Sequence, residues 1–84
     1  MKTLLLAHRK HIILVMKEQL QELLDRDPFV AFTILMTSGH EYEVTNPHLV
    51  ALGQSQMTVY VPKSDKNHIL RLNQVASLHV AQAA

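Results

Sequence analysis

The sequence predicts a mainly β, α+β domain in which one N-terminal helix precedes a small antiparallel sheet. Three observations carry this. Residues 28–45 hold two strand-forming runs on either side of Ser38-Gly39, a two-residue signal that closes β-hairpins. Upstream, Ile13, Met16, Leu20, Leu23 and Leu24 recur at spacings of three and four, the period of a helix with one apolar face. Downstream, short alternating runs separated by polar turns follow one another about every ten residues, the rhythm of an all-antiparallel sheet.

Taken in order, the chain begins with two short apolar runs, Leu4–Ala7 and Ile12–Met16, split by His8-Arg9-Lys10-His11. Each is shorter than the roughly 7–15 residues of a signal-peptide core and far short of the ~20 needed to cross a bilayer. A soluble cytoplasmic protein without a membrane segment is the expectation. Residues 1–15 keep two readings: an N-terminal extension of the helix, or a poorly ordered upstream piece with Met16 as the working start. The domain proper is expected over 16–82. The helical pattern runs from Ile12 to Asp27, with Lys17, Glu18, Gln21, Glu22 and Asp25 opposite the leucines, and Pro28 stops it. Asp25 and Asp27 oppose the helix dipole at its C-terminus, at a cost of about 0.3–1 kcal/mol each. The leucine stripe must therefore hold the helix, and the hairpin that follows is its natural seat.

In the hairpin, Phe32, Ile34, Met36, Tyr42 and Val44 are expected on the dry side, with Thr33, Leu35, Glu41 and Glu43 opposite. Leu35 on the wet side suggests partial cover there. Asn46-Pro47 marks a turn, and His48–Leu52 reads as a short strand or as a helical turn leading into one. Past the loop Gly53–Gln56, Met57, Val59 and Val61 point inward while Thr58 and Tyr60 point outward. A polar turn, Pro62–Asn67, leads to His68–Leu72 with Leu70 and Leu72 on one face. The last strand, Val75–Val80, is expected to turn Ala76, Leu78 and Val80 inward. Five or six such strands in so short a chain suit an SH3-like or Sm-like curled sheet or barrel.

Eighty-four residues allow one domain. No cysteine means no disulfide, no thiolate metal site and no thiol nucleophile. The net charge of +1 is unevenly spread: Lys2, Arg9 and Lys10 meet no acid before residue 16. From Met16 on, five basic residues (Lys17, Arg26, Lys63, Lys66, Arg71) face seven acids (Glu18, Glu22, Asp25, Asp27, Glu41, Glu43, Asp65). No dense basic stripe exists for non-specific phosphate binding, although a small pocket for a few nucleotides stays open.

The candidate chemistry is sparse. Six histidines (His8, His11, His40, His48, His68, His79) invite a metal reading. Zinc, however, needs three or four converging ligands, and Arg9 and Lys10 repel a cation beside the His8/His11 pair. No metal or cofactor is expected. Glu41 and Glu43 share a wet strand face, where nothing would split their pKa values into an acid and a base. No phosphate loop, nucleophile elbow or Ser-His-Asp grouping is present, so the chain is expected not to be an enzyme. Tyr60, Arg71 and Asn73 form the one polar and aromatic set suited to binding, where a base could stack on Tyr60 and a phosphate meet Arg71.

The segments Met16–Leu20, Asp27-Pro28-Phe29, Phe32–Ile34, Ser38–Val44 and Asn46–Gly53 resemble a family of small uncharacterised bacterial proteins. Its members run helix, Pro-Phe-x-Pro-Phe, Asp/Ser-Gly hairpin and His/Asn-Pro-x-Phe/Leu. Ala31 stands where that pattern has its second Pro. The resemblance implies a start near Met16 and no established activity. Separately, Leu70–Leu78 is similar to the second Sm motif, in which Arg and Asn line a base pocket at the subunit interface of a ring. Here Leu72 replaces the motif's Gly. That likeness implies single-stranded RNA binding through Arg71 and Asn73, and ring closure through edge strands. The expectation is a non-enzymatic binding domain that forms a homo-oligomer or takes a protein partner, with Sm-like RNA binding as the alternative.

Overall fold

The computed structural model describes the backbone of residues 2–80 and the side chains of residues 13–80. One helix, α1 (Lys2–Asp25), precedes six strands: β1 (Phe32–Met36), β2 (Glu41–Val44), β3 (Val50–Leu52), β4 (Gln56–Val61), β5 (Lys66–Arg71) and β6 (Val75–Val80). They form two three-stranded antiparallel sheets, β2-β1-β6 and β3-β4-β5, rather than a closed barrel. The chain passes between sheets twice, each time through a single 3-10 turn, at Pro47–Leu49 and at Leu72–Gln74. At the first crossing Asn46 caps the turn, its side-chain oxygen accepting from the His48 amide at 2.9 Å. His48–Leu52 is thus a helical turn leading into a strand.

The helix begins ten residues before the periodic segment predicted from Ile12 and ends two before Asp27. Its stripe is as expected: Leu20 and Leu23 are buried, and Ile13, Met16 and Leu24 pack against the same core. The stripe's main backbone neighbour, however, is the Leu72–Gln74 turn and not the β1–β2 hairpin. At about 36 Å, a 24-residue helix accounts for most of the molecule's long axis, which is 44 Å against 26 and 21 Å. No described helix is long and apolar enough to cross a membrane.

Between the sheets lie Phe32, Ile34, Met36 and Val44 from one side and Met57, Val59 and Leu70 from the other, with Leu72 at the crossing. Phe32 stands opposite Val44, and Ile34 opposite Tyr42. The expected dry face of the hairpin is therefore real. Leu35, on the outer face, is half-buried.

Two local readings need correction. The hairpin loop has three residues, Thr37–Gly39, instead of two: the Met36 amide donates to His40 O at 2.9 Å and the Gly39 amide to Met36 O at 2.9 Å. Gly39, at φ +92°, takes the left-handed position that ends such a loop. In β6 the register to β1 slips between Leu35 and Met36, which pair with Ser77 and Val75 and leave Ala76 as a bulge. The extra residue reverses the facing upstream of it, so Val75 packs on the core and Ala76 is exposed; downstream Leu78 packs inward as expected, while Val80, the last residue of the strand, is exposed.

Candidate functional site

The first candidate site grows from the crossing between β5 and β6. Arg71 ends β5 opposite Gln56, and Leu72 is pulled inward as its amide donates to Ser55 O at 3.0 Å. Burying Leu72 forces its neighbours outward, so Arg71 and Asn73 are both exposed on the same corner. With Ile13, Ser55 and Gln56 they line a cavity of about 200 Å³. A wider groove of about 560 Å³ adjoins it, lined by Ile13, Leu14, Lys17, Gln54 and Ser55. The two share Ile13 and Ser55, and their linings include two cations, Lys17 and Arg71, and no acid.

Tyr60 does not join them. It pairs with Asn67 toward the far end of the β4–β5 hairpin, four residues from Gln56. Four residues of strand span about 13 Å. Its hydroxyl donates to Asp65 Oδ1 at 2.7 Å, which raises the phenol's pKa because ionisation would lose the donor beside a carboxylate. Asp65 itself takes a left-handed backbone, φ 53°, in the Pro62–Asp65 turn. The binding trio read from sequence is thus a pair, Arg71 and Asn73, plus a tyrosine that braces a turn.

Elsewhere, Glu41 and Glu43 are exposed and border a cleft of about 340 Å³ with Tyr42, Thr45, Leu49, Val61, Pro62 and Lys63. His40 hydrogen-bonds Ser38 Oγ at 3.0 Å, and His79 hydrogen-bonds Ser77 Oγ at 2.8 Å. Sequence reasoning missed both pairs, although each is an i,i+2 Ser-x-His: in β6 the strand alternation puts Ser77 and His79 on one face, while the turn at Gly39 brings Ser38 and His40 together. Thr33 stands between Glu43 and His79 in the register. Two strand spacings, roughly 9–10 Å, therefore separate the backbones of Glu43 and His79, and the hydrogen bond of His79 is to Ser77 alone among the described residues. His68 leans on Tyr42. His8 and His11 lie outside the residues whose side chains are described. Among the described residues no three or more His, Asp or Glu side chains converge as metal ligands.

Comparisons with protein-family models, with curated proteins and with solved structures return no match. The functional reading therefore stands on the corner between α1, the β3–β4 turn and the β5–β6 crossing.

Proposed function

We propose that this chain is a non-enzymatic binding domain that works by self-association, and that it belongs with the small bacterial proteins its Pro28-Phe29 and Ser38-Gly39 segments resemble. The observation that carries the reading is the open groove beside α1, where Leu14 stands 53% exposed next to Ile13 and Lys17. Exposed apolar side chains beside a concave surface favour a partner that covers them. Ile69 on the unpaired edge of β5, at 67%, and Val80 on that of β6, at 37%, add to it. Light scattering during size-exclusion, over a hundredfold range of concentration, tests this. A mass above the monomer that grows with concentration is expected, and a strict monomer throughout would overturn the reading.

Sm-like binding of single-stranded RNA is the second reading. The shared cavity of Arg71 and Asn73 favours it, together with the nearby Lys17. The loss of Tyr60 from the corner removes the stacking platform, so binding would rest on charge and hydrogen bonds and fall with added salt. A filter-binding assay with short RNA decides: Arg71→Ala is expected to abolish most of the affinity, and an unchanged affinity excludes the pocket.

A further inference from the structure

We infer that the free edge of β2 takes up an extended cationic peptide strand, one that alternates Lys or Arg with apolar residues. This surface lies apart from the groove beside α1 and goes beyond the self-association reading. β2 is the last strand of its sheet, so one side of its backbone meets no neighbouring strand. The hairpin decides which groups are left over. The Met36 amide donates to His40 O, and bonded pairs recur at every second residue of an antiparallel ladder. Ile34 with Tyr42 and Phe32 with Val44 are thus the bonded pairs, and the N–H and C=O of Glu41 and Glu43 point outward from the edge. Among the described residues none of these four groups has a backbone partner. An added strand satisfies them.

The cleft of about 340 Å³ runs along this edge, for it touches Glu41, Tyr42 and Glu43 alike. A cavity over one face of a strand would touch only every second residue. Tyr42, half-buried and set against the His68 ring, shares the lining with Leu49, Val61 and Pro62. Glu41 and Glu43 stand on the opposite face, exposed. An added strand turns one alternate set of side chains onto the apolar lining and the other set beside the two carboxylates. Opposite charges in cross-strand positions attract and like charges repel, which makes the second set Lys or Arg. Lys63 also lines the cleft and disfavours a further cation over the apolar part. Two copies joined β2 to β2 would set glutamate against glutamate, so a second copy is not the favoured occupant.

The probe is a fluorescein-labelled peptide of alternating Lys and Val, followed by fluorescence anisotropy on the full chain. Saturable binding of one peptide per chain is expected, with slowed amide exchange at Glu41 and Glu43 by NMR. Methylating one alternate set of the peptide's amide nitrogens should abolish binding, and methylating the other set should leave it. The double change Glu41→Lys with Glu43→Lys should weaken binding by about tenfold or more and admit the matching Glu/Val peptide instead. Both side chains are exposed, so circular dichroism should be unchanged. Absence of binding would overturn the proposal, as would binding that survives methylation of either set, which is charge attraction without a shared ladder. Affinity indifferent to the double change would also overturn it. None of these outcomes bears on the mass measured by light scattering, so self-association stands or falls separately.

Discussion

The rings of Tyr42 and His68 lie 5.1 Å apart, centre to centre, and are inclined at 53°. Tyr42 belongs to β2 and His68 to β5, so this contact ties one sheet to the other where no backbone ladder does. Ring pairs of this kind contribute about 0.5–1.5 kcal/mol beyond their buried area. A double-mutant cycle of Tyr42→Ala and His68→Ala by chemical denaturation should therefore return a coupling in that range. Strict additivity would mean that the sheets are held by the core alone.

Gly39 meets no steric obstacle, since an added Cβ would have nothing within 4 Å. Its constraint is the backbone, φ +92°. Gly39→Ala is therefore expected to cost about 1–2 kcal/mol, whereas Gly39→Asn, which tolerates the left-handed region better, should cost less. Equal losses in thermal denaturation would show that space, not conformation, governs the site. Gly53 is the opposite case: its Cβ would come within 2.9 Å of Gln56 O.

The bulge at Ala76 predicts a reversal of the alternation in β6. Ala76→Ser should change stability by no more than about 0.5 kcal/mol, as exposed positions do. Leu78→Ala should cost about 2 kcal/mol. A large loss at Ala76 would mean that β6 runs in unbroken register with β1.

Tyr60 donates to Asp65, and its pKa is raised above 10.0. The folded state then holds the phenol proton more tightly than the unfolded chain. Its contribution is complete below the unfolded tyrosine pKa and is lost as pH rises from there through the folded value. Spectrophotometric titration at alkaline pH should show one tyrosine ionising late, and Asp65→Ala should move it back toward the ordinary range. A titration unaffected by Asp65→Ala would exclude the hydrogen bond in solution.

Much of the fold was legible because it is local. The three-and-four spacing of Met16, Leu20 and Leu23 names the buried side of the helix, and alternation names Phe32, Ile34, Val44, Met57 and Val59 as core. Each of these facings depends only on neighbours a few residues away, through the periods of helix and strand. The backbone of residues 2–11 was harder to read: it is helical, yet the apolar period there is broken by His8-Arg9-Lys10-His11.

The site was half legible for the same reason. Arg71 and Asn73 flank Leu72 by one position each, so burying that leucine suffices to bring both to one corner. Tyr60 looked equivalent as an outward strand residue, but the pairing of β4 with β5 carries it to the opposite end of the ladder. The sequence by itself determined which side chains face inward and where the chain must turn, because period and turn chemistry act over a few bonds. Tertiary structure alone decided that six strands divide into two sheets, that Ala76 bulges, and that Tyr42 meets His68. Those outcomes depend on which distant strands share backbone hydrogen bonds, a competition that no local pattern encodes.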